Sequence, residues 1–104
     1  PVRSIVQTFL RELEHRERAV LDAVASGDAE LLRRTAHTLR SMSGTLGANE
    51  LDELSRTLEL DEFPPGPATL EAFESSVRST REVLDAWLAS RPETEPSSGP
   101  ISVS

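Results

Sequence analysis

The sequence has no cysteine and only four aromatic side chains, Phe9, Phe63, Phe73 and Trp87. Without thiols it can build neither a disulfide framework nor a thiolate metal site or nucleophile, and the cysteine count leaves the redox compartment undecided. With so few aromatics, the interior must be made mainly from Leu, Val, Ile and Ala, a composition suited to helices. No apolar run approaches the length of a membrane span or a signal-peptide core, so a soluble, cytoplasmic domain is expected. Bases are also in short supply. Eleven of them, all Arg, stand against eighteen acids, and the net charge of −7 argues against a general nucleic-acid binder, because phosphates would repel the chain at long range. A chain of 104 residues suffices for one modest core but not for a separate catalytic lobe, so any chemistry must lie on the surface or need a partner. The start at Pro1 without Met fits either an excised piece of a longer protein or a processed terminus.

What is present is helical periodicity. Ile5, Val6, Phe9, Leu10, Leu13, Val20, Leu21 and Val24 recur at three- and four-residue steps and predict a helix over 2–25. Ser26-Gly27-Asp28 supplies a left-handed stop and a capping restart. A second helix over 29–46 carries Leu32, Ala36, Leu39, Ser43 and Leu46 on its inner face, with Ser43 allowing neighbouring helices to pack tightly. After Gly47, Asn49 is expected to cap a third helix reaching Leu60, with Leu51, Leu54 and Leu58 inward. Asp61 to Pro67 holds three prolines and must be a loop. A fourth helix is expected over 68–89, with Leu70, Phe73, Val77, Leu84 and Trp87 as its stripe. No strand-like alternation appears. The fold class is therefore all-α, an antiparallel four-helix bundle running up-down-up-down over residues 1–90, with a flexible polar tail over 91–104.

One helix carries an unusual face. His37 lies about 150° from the stripe through Leu32, Ala36 and Leu39, so it faces water. Ser41 and Gly44, four and seven residues on, share its face, and Arg34 lies one turn before it. Glycine inside a helix costs about 1 kcal/mol relative to alanine, a cost that makes sense where something must approach the backbone closely. Residues 33–48 contain Arg33, Arg34 and Arg40 and no acid, so an anion on His37 would be favoured there. Arg33 and Arg34 also read as ordinary surface charges, since Glu30 and Arg34 form a favourable i,i+4 pair. His15 lies in a charge run, Glu12 to Glu17, and lacks small neighbours. Metal binding fails on spacing because no second ligand shares the face of His37, and no strand-to-helix turn offers a hydrolase nucleophile.

The run Ala36-His37-Thr38-Leu39-Arg40-Ser41-Met42-Ser43-Gly44-Thr45-Leu46-Gly47-Ala48 resembles the signature of histidine-containing phosphotransfer (HPt) domains. In that family a phosphorylated His is followed at three residues by Lys, then by Gly and small residues, and by a closing Leu-Gly pair. Ser26-Gly27-Asp28 before it and Leu51, Leu54 and Leu58-Glu59 after it resemble the family as well, so the likeness covers about residues 1–89. Arg40 stands where Lys is usual, which keeps the charge, and Ser41 stands where Gly is usual.

The resemblance implies that His37 accepts a phosphoryl group from a receiver-domain aspartyl phosphate and passes it to another receiver aspartate. By the same resemblance, Arg40 helps to neutralise the phosphoryl group, and Arg34, Ser41 and Gly44 belong to the docking surface. It implies a phosphocarrier without an ATP site of its own, and no cofactor bound by this domain, with Mg2+ brought by the receiver. The implied partners are receiver domains of response regulators or hybrid sensor kinases. Neither nucleic acid nor membrane contact is expected of this segment, and the isolated domain is expected to be monomeric and cytoplasmic, either free or as a domain of a membrane-bound sensor kinase. Two other classes compete. The dimerisation helix of a histidine kinase also has Leu and Arg after its His, but it typically has Glu directly after the His and Pro five residues on, where this chain has Thr38 and Met42. The other alternative is a bundle that binds receivers without carrying phosphate.

Overall fold

The computed structural model describes residues 1–91, which form four helices: α1 (Val2–Ser26), α2 (Ala29–Leu46), α3 (Asn49–Leu60) and α4 (Pro67–Ala89). The polar tail expected at the C-terminus lies outside the described residues from 92 onward. Among the described residues there is no strand.

The first two turns use the same device. Gly27 and Gly47 both sit in the left-handed region with φ of 74°, which a side chain would resist. The amide that follows each glycine donates back into the preceding helix, Asp28 N–H to the Ala23 carbonyl and Ala48 N–H to the Ser43 carbonyl, both at 2.9 Å. Asp28 then caps α2, its carboxylate accepting from the Leu31 amide at 3.0 Å.

The second restart differs from expectation. Ala48, not Asn49, occupies the capping position of α3 and offers no side-chain acceptor, while Asn49 is already helical. The cause is the tight closure at Gly47: the chain re-enters a helix at once, and the Ala48 carbonyl accepts from the Asp52 amide at 2.9 Å. α4 likewise begins one residue earlier than expected, at Pro67, because a first-turn proline needs no amide donor.

Each helix packs on its neighbours in sequence, α4 returns to α1, and the diagonal pairs do not approach each other. The result is a closed ring of antiparallel helices. Phe9, Leu13, Val20, Leu32, Leu39, Leu51, Leu58, Phe73 and Val77 fill its centre. Phe63 leans in from the proline-rich loop. The most extensive helix pair is α2 with α3, and small buried residues explain it: Ala36 and Ser43 on α2 and Ser55 on α3 are all fully buried. Ser55 takes an inner position expected for Leu54, which is only half-buried.

Helix length decides the rest. α1, with 25 residues, spans about 37 Å, whereas α3, with 12, spans about 18 Å. Part of α1 and α4 therefore runs on beyond α3, and Val2, Ile5 and Val83 are exposed. Ile5 was expected inside. Its periodicity is right, but no helix covers it. The two long helices are tied at this end by Arg3, whose guanidinium donates to the Leu88 carbonyl at 3.0 Å and to the Arg91 carbonyl. Trp87 is half-buried there, with the Arg91 guanidinium 4.7 Å from its ring centre.

Candidate functional site

The register of α2 is set by the burial of Leu32, Ala36, Leu39 and Ser43, and that register turns His37 outward. Its side chain is 70% exposed. The register of α3 is set in the same way by Leu51, Ser55 and Leu58. Antiparallel packing of α2 on α3 then brings Glu59, the residue after buried Leu58, alongside His37. Glu59 Oε2 lies 3.0 Å from His37 Nδ1, and its Oε1 accepts from Arg40 Nη1 at 2.6 Å. One carboxylate thus bridges two residues that stand one turn apart on the neighbouring helix.

The electrostatics of this bridge fix its chemistry. The Arg40 hydrogen bond is the main influence holding the Glu59 carboxyl below its ordinary value of 4.5; partial burial opposes it and the His37 hydrogen bond assists. Glu59 is therefore ionised near neutral pH, and an ionised carboxylate can only accept. The proton on the bridging imidazole nitrogen must then be on Nδ1, which donates to Glu59. In the neutral ring this leaves the lone pair on Nε2, on an exposed side chain and without a partner among the described residues. The arrangement presents an oriented nitrogen nucleophile to solvent, with an anion behind it.

The other residues singled out from the sequence fall around this centre. Arg34 is exposed and paired with Glu30 at 3.9 Å. Arg33 is exposed and has no ion-pair partner among the described residues. Together with Thr38 and Glu59, these side chains and His37 line an open depression. Ser41 and Gly44 lie on the exposed continuation of the same helix, and a Cβ built on Gly44 would meet nothing within 4 Å. Nothing inside the bundle requires glycine there.

Arg40, expected to help neutralise a phosphoryl group, donates to Glu59 and is 32% exposed. His15 is exposed beside Arg11, Glu14 and Arg18, and among the described residues no carboxylate from another helix pairs with it. Among the described residues no three His, Cys, Asp or Glu side chains converge as metal ligands do.

Glu59 is the site residue that sequence reasoning missed. It stood in the sequence only as the flank of Leu58, one acid among eighteen. A charged residue at the edge of a buried stripe was the available signal. Its partner could not be named before the pairing of α2 and α3 was known.

A family model described as the Hpt domain matches residues 4–91. No curated protein and no solved structure matches the chain.

Proposed function

This chain belongs to the Hpt domain family, and from that premise we propose that it is a phosphorelay intermediate that carries a phosphoryl group on His37 Nε2 between receiver-domain aspartates. The family works in phosphotransfer within two-component signalling. The observation that carries the assignment to His37 is the Glu59 bridge, which presents one nitrogen of an exposed ring and supports the other.

In the forward step the Nε2 lone pair attacks the phosphorus of an aspartyl phosphate. The phosphorus–nitrogen bond forms as the phosphorus–oxygen bond breaks, and the aspartate carboxylate leaves with the electron pair. The ring, still protonated on Nδ1, becomes cationic, and the Glu59 carboxylate opposes that charge as it develops. The return step to a second receiver reverses these changes. Magnesium for the acyl phosphate would come with the receiver. Ser41 and Gly44 supply the low surface over which a receiver approaches, and Arg34 lies at the opposite border of His37. No helix of the described residues is long and apolar enough to cross a membrane.

The test is to mix the protein with a phosphorylated receiver and locate the transferred group by mass spectrometry. His37→Gln should abolish transfer while circular dichroism shows an intact helical bundle, and His15→Gln should change neither. Retained phosphorylation in the His37 variant would overturn the assignment.

A further inference from the structure

We propose, resting on the phosphotransfer reading above, that Arg33 is the cation that meets the phosphoryl group on His37, and that Arg40 is a positioning residue acting through Glu59. The charges around the depression pair off until one is left. Glu30 is matched by Arg34 at 3.9 Å, and Glu59 is matched by Arg40 at 2.6 Å. Arg33 lines the same depression and has no ion-pair or hydrogen-bond partner among the described residues. An arriving phosphoryl group can therefore engage Arg33 without breaking any existing contact.

Direction favours the same residue. Side chains on an α-helix lean toward its N-terminus, so the His37 ring covers the turn that bears Arg33 and Arg34. The depression opens on that side, and Arg40 is not among its lining residues. Arg33 is four residues before His37 and so shares its face, and a guanidinium on a long flexible stem can rise to an oxygen bound at Nε2.

Arg40 is constrained in a way that Arg33 is not. If it left for the phosphoryl group, Glu59, whose side chain is only 18% exposed, would lose its shorter hydrogen bond. It would also lose the contact that fixes its carboxylate beside Nδ1 and the main influence that holds its carboxyl below the ordinary value. Recruiting Arg40 would undo the bridge that orients the nucleophile.

Phosphoramidate separates these roles because it loads histidine without a docking protein. Nε2 attacks phosphorus, the phosphorus–nitrogen bond of the donor breaks, and ammonia leaves. Arg33→Ala should load about fivefold more slowly at low salt, an advantage that salt then screens, and Arg33→Lys should recover most of the rate. In the loaded protein, Arg33→Ala should raise the pH midpoint of the phosphohistidine 31P resonance. Arg40→Ala, or Arg40→Gln if the first is unstable, should move the His37 ring 15N signals of the unloaded protein toward mixed tautomers, a change that Arg33→Ala should not produce. Wild-type loading and an unchanged 31P midpoint in Arg33→Ala would overturn the proposal, as would His37 ring 15N signals in the Arg40 variants identical to those of the wild type. Failure of the wild-type protein to accept phosphoryl from either phosphoramidate or a phosphorylated receiver would overturn the phosphotransfer reading itself.

Discussion

Glu59 accepts from two residues at once, and the direction of its pH response follows from that. Its carboxyl is held below the ordinary value of 4.5 in the folded protein, chiefly by Arg40. A lowered folded value means that the bridge contributes stability above the unfolded value, and that this contribution is lost as pH falls through the folded one. The wild-type protein should therefore melt above Glu59→Gln near neutral pH, and the gap should close in acid below 4.5; thermal scans of both proteins across that range check it. The same variant should transfer phosphoryl roughly tenfold more slowly at neutral pH, because a glutamine neither fixes the tautomer nor opposes the developing ring charge. A full-speed Glu59→Gln protein would remove Glu59 from the mechanism.

On α2, stability and docking should respond to substitution with opposite signs. Gly44→Ala places a methyl in open space on a helix and should raise stability by about 0.5–1 kcal/mol in chemical denaturation, yet weaken receiver binding. Ser41→Arg should weaken binding further and leave stability within about 0.5 kcal/mol. Equal receiver affinity for both variants and wild type in a titration would mean that this face is not the docking surface. The buried face of the α2–α3 pair offers a contrasting case. Ser43 and Ser55 are fully buried, and their hydroxyls have no hydrogen-bond partner among the described residues. Removing an unpaired buried hydroxyl relieves its desolvation cost, so Ser55→Ala should hold or raise stability, by up to about 1 kcal/mol. At the turn that joins these helices the sign reverses: Gly47→Ala forces a side chain into the left-handed region and should cost about 1 kcal/mol or more.

Across the whole molecule the site depends on a ring of helices closed within one chain. The dimerisation helices of a kinase would need a second copy to complete four, whereas here α4 packs back on α1, with Arg3 and the Glu17–Arg81 pair joining the two. Phe73 is fully buried in α4, remote in sequence from His37, yet it belongs to the core on which α2 and α3 rest. Phe73→Ala should cost about 3–5 kcal/mol in chemical denaturation. While the variant remains folded, its loading by phosphoramidate should stay near wild type, since no contact to His37 is removed. A loss of loading in the folded variant would show that the site is not carried by α2 and α3 alone.

The sequence by itself determined most of the elements and the outward face of α2. Burial period and turn chemistry are local, and Leu32, Ala36 and Leu39 settle where His37 points without reference to any other helix. Gly27, Asp28 and the three prolines after Glu62 are local signals in the same sense. Helix pairing is not local, and three matters rested on it. Ile5 has the right period but lies beyond the cover of its neighbour α2, because α1 has 25 residues and α2 only 18. Nothing near Arg40 in sequence claims it. Glu59, nineteen residues further on, does claim it, and reaches His37 as well, only because antiparallel packing of α2 and α3 sets one register between them.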